Sequence, residues 1–210
     1  MEKELQKRIL SSIILIPFAL FFILKGSVFF ILFLFILFLI SSLEWLNMAR
    51  KLELKILGIF FLIFSFYSTF YFREDGLMTF LLIVIICVST DLGGFIFGKL
   101  FKGPKLIKIS PNKTYAGVIG SFLLSIIAGL IFIKYIGDIG VKNTNQLSIL
   151  FGILLISFIS QIGDLIISYF KRKAKMKDTG KILPGHGGLL DRIDGLIFVV
   201  PTVYLLQFIK

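Results

Sequence analysis

The stretch Leu77-Met-Thr-Phe-Leu-Leu-Ile-Val-Ile-Ile-Cys-Val-Ser-Thr-Asp-Leu-Gly-Gly-Phe-Ile-Phe97 carries one charge, Asp91, in an otherwise apolar run. A helix needs roughly 17 to 25 mainly apolar residues to cross hydrocarbon, and this run supplies them. Comparable runs extend over Ile9 to Leu24, Ser27 to Leu46, Ile56 to Phe72, Gly117 to Ile136, Leu147 to Phe170 and Ile193 to Ile209. Seven helical spans are therefore predicted. The first and last are marginal in length, and a re-entrant segment is the rival reading for each.

The whole chain agrees with its parts. Of 210 residues, 57% are apolar, 25 are Phe and only 17% are charged, with a mean hydropathy of +0.98. A soluble domain is nearer half apolar and a quarter charged, and it could not keep this much Leu, Ile and Phe from water and stay dispersed. The expected fold is all-α, a polytopic integral membrane protein forming a single membrane domain over 1–210. Residues 1–75 are read as packing helices and residues 76–210 as the part that carries the loops 99–116 and 171–192. The lone cysteine, Cys87, excludes an intrachain disulfide and a cysteine-based metal site. The basic N-terminus ahead of an apolar stretch has the look of a signal peptide, but no small-residue cleavage site follows Leu24 and a second span begins after Lys25 and Gly26, so a retained first helix is expected.

Alternation of seven spans puts the segments 1–8, 47–55, 99–116 and 171–192 on one side, with 18 of the 23 Lys and Arg. Positive charge collects in cytoplasmic loops, so the N-terminus is expected in the cytoplasm of a multi-pass cell (inner) membrane protein. Nucleic-acid binding, the other reading of a net charge of +11, does not fit the apolar spans.

Carboxylates in hydrocarbon are kept for a partner, a pathway or a metal. Asp91 lies eight residues before Lys99 and Asp164 seven before Lys171, so each sits roughly 10 to 12 Å beneath the cytoplasmic boundary. Asp191 and Asp194, three apart at the start of the last span, fall on one helix face. The four are expected to converge. The bland alternative is that the first two satisfy a neighbouring Lys or Ser while the last pair favours the positive end of a helix.

The loop from Lys99 to Thr114 holds five Lys and no acid. An anionic ligand or anionic lipid is implied, and simple attraction to headgroups is the plain alternative for Lys99, Lys102 and Lys105. Ser110-Pro-Asn-Lys-Thr114 instead stands just before a helix, where backbone N–H groups and the helix dipole favour phosphate. The loop after Ser168 places six cations between Lys171 and Lys181, then Pro184-Gly-His-Gly-Gly188, a stretch able to take positive φ and to form either a phosphate nest or an ordinary turn. The only histidine, His186, donates to a phosphate or shapes that turn. Acids under the membrane surface beside two basic loops are what metal-assisted phosphoryl chemistry on a lipid requires, with Asp holding Mg²⁺ and Lys or Arg holding phosphate. A phosphate nucleophile is largely dianionic at neutral pH and needs no general base.

Ser168, Lys171, Arg172, Lys177, Asp178, Gly180, Leu183, Pro184, His186, Gly187, Gly188, Asp191, Arg192 and Asp194 resemble, at every fixed position, the signature of the phosphatidate cytidylyltransferases, or CDP-diacylglycerol synthases. Asp91, Gly98-Lys99 and Ser110 to Thr114 are similar to that family's upstream elements. One departure is Ala116, where members often have Glu. The resemblance implies Mg²⁺-dependent cytidylyl transfer from CTP to phosphatidate, giving CDP-diacylglycerol and pyrophosphate, in a homodimer, with K⁺ or a second Mg²⁺ beside the first. It also implies that Asp164 and Asp191 hold metal, with Asp194 completing a catalytic set. Ser110, Lys113, Thr114, Lys171, Arg172, Lys177, His186 and Arg192 would bind substrate. Two rivals stand beside it. A cation-coupled transporter would use acids near a Gly93-Gly94 helix break, and a CDP-alcohol phosphotransferase would share only the Asp194-Gly195 echo.

Overall fold

The computed structural model describes residues 2–107, 110–136, 145–183, 185 and 187–207, with side chains from Ile13 onward except those of Pro111 and Asn112. Helices occupy all seven predicted stretches: α1 (Glu2–Lys25), α2 (Ser27–Met48), α3 (Leu52–Asp75), α4 (Leu77–Phe101), α5 (Tyr115–Tyr135), α6 (Gln146–Lys173) and, after the one-turn α7 (Leu190–Ile193), α8 (Leu196–Gln207). Five of them, α2 to α6, are long and apolar enough to cross a membrane, while the apolar part of α1 and the 12-residue α8 are shorter. The protein is an all-α, multi-pass membrane protein.

Two expectations change. Part of the first basic loop forms an antiparallel pair of strands, a hairpin of β1 (Lys105–Ile107) with β2 (Ser110–Thr114), pairing Lys105 with Thr114 and Ile107 with Ser110. The last predicted span is not one helix, because the chain turns at Asp194-Gly195 between α7 and α8. Asp191 thus stands inside a single turn of helix and Asp194 at its end, rather than along one face of a span.

The helices are held by small and hydroxylated residues, as expected where lipid removes the hydrophobic drive between helices. Ser121 Oγ donates to the Thr90 carbonyl at 2.7 Å, Thr90 Oγ1 to Ser157 Oγ at 2.9 Å, and Ser65 Oγ to the Ile197 carbonyl at 2.6 Å. These bonds tie α4 to α5 and α6, and α3 to α8. Gly93 faces Gly120 across the α4–α5 contact, where a Cβ on Gly93 would strike the Gly120 carbonyl. The glycines that suggested a helix break therefore permit close packing, and α4 runs through them unbroken.

Two apolar clusters fill the bundle. One joins Phe30, Phe72, Phe80, Ile83 and Val199. The other gathers Trp45, Met48, Leu62, Ile167, Leu190 and Ile197. The second lies under the signature loop, and Trp45 Nε1 fixes the α2–α3 turn by donating to the Leu54 carbonyl at 3.0 Å. Many large apolar side chains, such as Leu32, Phe35, Phe60 and Phe151, stay half exposed or more, as residues facing lipid must.

Candidate active site

Helices α4, α5, α6 and α7 and the hairpin enclose a cavity of about 370 Å³. Asp91, Asp164, Asp191 and Asp194 all line it, so the predicted convergence of four carboxylates is observed. Ser110, Lys113, Thr114, Lys171 and Arg192 line it as well, together with Gln161 and Asp178. Arg172 and Lys177 do not. Arg172 Nη1 donates to the Met176 carbonyl at 3.2 Å, and Lys177 is exposed on the loop. His186 and Pro184 lie outside the described residues.

Each positioned acid has a local cause. Asp164 sits four residues before Ser168 on α6, so Ser168 Oγ reaches its Oδ1 at 3.1 Å. Its Oδ2 meets Lys113 Nζ at 2.6 Å, a contact that the hairpin makes by projecting Lys113 from β2. Thr114 ends the hairpin as the N-cap of α5, accepting from the Gly117 N–H at 3.1 Å.

Asp191 is held more tightly. Lys171 Nζ lies 2.7 Å from Oδ1, while Oδ2 accepts from Thr179 N at 2.8 Å and Gly188 N at 3.1 Å, with Thr179 Oγ1 3.1 Å away. Burial pushes this carboxyl up, but the hydrogen bonds from Lys171, Thr179 and Gly188 outweigh it and leave it below the ordinary carboxylate range. Gly185 and Gly187 take φ values of 77° and 84°, and Leu183 N donates to the Gly187 carbonyl at 3.0 Å. Leu183 and Gly187 thus pair, and the Gly188 N–H that follows meets Asp191.

The cavity wall carries five carboxylates against three cations, Lys113, Lys171 and Arg192. Among the described residues no group of three or more carboxylate, imidazole or thiol side chains forms a ready-made ion cage. Asp164 and Asp191 are the carboxylates of this wall that could hold Mg²⁺, an ion commonly bound by one or two carboxylates plus substrate phosphate oxygens.

Glu44 escaped the sequence reading. It stands in α2 among residues read as packing, 3% exposed, with Thr179 and the backbone of Leu189 and Leu190 as donors. A buried acid at the foot of a span was its only signal.

Fold and cavity together define a multi-pass membrane protein with a charged, polar pocket among its helices. A model of the "Cytidylyltransferase family" matches residues 51–209, and the chain belongs to that family. The chain is similar to a phosphatidate cytidylyltransferase of Staphylococcus haemolyticus, 39% identical over 142 residues, which are 67% of this chain and 52% of the relative. It is similar to that of Rickettsia bellii, 32% identical over 98% of this chain and 92% of the relative, and to that of Rickettsia felis, 30% identical over 99% and 94%. The chain therefore spans about half the length of the staphylococcal relative and nearly all of the rickettsial ones.

Proposed function

We propose that this protein is a phosphatidate cytidylyltransferase, joining CTP and phosphatidate to give CDP-diacylglycerol and pyrophosphate. The observation that carries this reading is the pair of lysine–aspartate contacts, Lys113 with Asp164 and Lys171 with Asp191, opening on one cavity at the end of the helices. Such pairs keep both cations and both anions poised until a phosphate ligand draws the ammonium groups to itself.

An oxygen of the lipid phosphate forms a bond to the α-phosphorus of CTP as the bond from that phosphorus to the pyrophosphate oxygen breaks. Lys113, Lys171 and Arg192 bind the phosphates and hold the two anionic reactants together, which is most of what phosphoryl transfer asks of a protein. Ser110 and Thr114 add hydroxyl donors beside them. Asp164 and Asp191 would hold Mg²⁺, with Asp194 nearby. When bound, this ion, alone or with K⁺ or a second Mg²⁺, neutralises the reacting phosphates and stabilises the leaving pyrophosphate. The exposed Arg172 and Lys177 draw anionic substrate toward the mouth of the cavity. The basic side of the protein, and the cavity with it, faces the cytoplasm from the cell membrane, in a homodimer.

The test is to incubate detergent-solubilised protein with CTP, phosphatidate and Mg²⁺ and to assay CDP-lipid and pyrophosphate, with EDTA as control. Equal amounts of both products, lost with EDTA, support the reading. A folded sample that makes neither contradicts it.

A further inference from the structure

Glu44 lies outside the cavity wall and N-terminal to the stretch that the family model matches. Its carboxylate is nonetheless the point on which the signature loop is tied down. Oε2 accepts from Thr179 Oγ1 at 2.7 Å and from Leu190 N at 2.8 Å, and Oε1 accepts from Leu189 N at 2.9 Å. These partners come from both ends of the loop, so one buried side chain of α2 closes it. The loop is drawn tight over that carboxylate. A Cβ on Gly188 would strike the Thr179 hydroxyl, and one on Gly180 or Gly188 would press on Glu44 itself.

Thr179 connects this anchor to the site. Its hydroxyl donates to Glu44, while its backbone N–H donates to Asp191 Oδ2 at 2.8 Å. Leu189 and Leu190, held by Glu44, lead directly into the helical turn that carries Asp191. Glu44 thus fixes the backbone just before Asp191 and also Thr179, whose N–H meets Asp191, without lining the cavity. A carboxylate buried with three donors is costly to lose, since each N–H left without a partner is itself buried.

We infer that Glu44 is a positioning residue for the transfer reaction, acting through Thr179 and the 189–190 backbone to hold Asp191 and its Lys171 partner in place. The second helix then serves catalysis as well as packing. The inference rests on the reaction read above, and its test includes a readout that does not depend on turnover.

Wild-type protein, Glu44→Gln, Thr179→Val, Thr179→Ser and the exposed control Glu53→Gln are purified in detergent. Turnover with CTP, phosphatidate and Mg²⁺ is measured beside the rate at which trypsin cuts after Lys177 and Lys181, with cutting after Lys51 as reference. Glu44→Gln places an amide N–H₂ against backbone donors. It is expected to lower kcat by about 10- to 100-fold, as loss of a ligand's outer partner does, with faster cutting at Lys177 and Lys181 and no change at Lys51. Thr179→Val is expected to lower kcat similarly, and Thr179→Ser and Glu53→Gln to keep wild-type kcat. Wild-type kcat and loop cutting in both Glu44→Gln and Thr179→Val would overturn the inference, as would a lowered melting temperature with undiminished kcat. If Glu44→Gln does not fold, Thr179→Val decides, because it leaves Leu189 and Leu190 bonded. If wild-type protein is inactive the reaction reading fails, and the cutting rates alone then decide whether Glu44 orders the loop.

Discussion

At Asp191 a single carboxylate joins the end of α6, the signature loop and α7. Because its folded pKa lies below the ordinary range, its stabilising contribution is full above that range and is lost as pH falls through the depressed folded value. Asp191→Asn is therefore expected to melt below wild type at pH 7 while remaining folded, with the gap closing as pH falls below about 4, and to abolish CDP-lipid formation. A pH series of melting curves beside a turnover assay checks both. Lys113→Met is expected to raise the KM for CTP by about tenfold or more, since it removes one charge-assisted contact; an unchanged KM would take Lys113 out of the phosphate-binding set. The sequence exposed Asp91 and Asp164 because a charge inside an apolar run is conspicuous, and depth counted from the nearest lysine brought them together. It hid Glu44 and Thr179, whose roles depend on long-range contacts separated by 135 residues.

The five long spans were legible because lipid demands long apolar helices whatever their neighbours do. What joins them was less so. Gly93-Gly94 signalled a break when read along the chain, yet packed against Gly120 it is a seam. The hairpin was read as a loop because its strands are short, charged and interrupted by Pro111, none of which marks a sheet. Only the observed pairing of Lys105 with Thr114 reveals how Lys113 is delivered to Asp164. Gly93→Val should force α4 and α5 apart. Overpacking of this kind costs about 1–3 kcal/mol, read as a lower melting temperature in detergent, whereas Gly152→Val, where a Cβ has open space around it, should melt close to wild type.

Over the whole molecule the charge asymmetry and the cavity point the same way. The cavity opens among the hairpin and the 171–192 segment, two of the four segments that hold most of the Lys and Arg. An impermeant thiol reagent is expected to label Lys173→Cys in inverted vesicles and Asn145→Cys in right-side-out vesicles, while the buried Cys87 stays silent. The opposite pattern would reverse the orientation. The central claim is that the cytidylyl group moves intact from CTP to a lipid phosphate, and CTP labelled with ³²P at the α or the γ position tests it most directly. The α label should pass into solvent-extractable lipid and the γ label into pyrophosphate, both only with Mg²⁺ present. An α label that stays in the aqueous phase while CTP is consumed would contradict it.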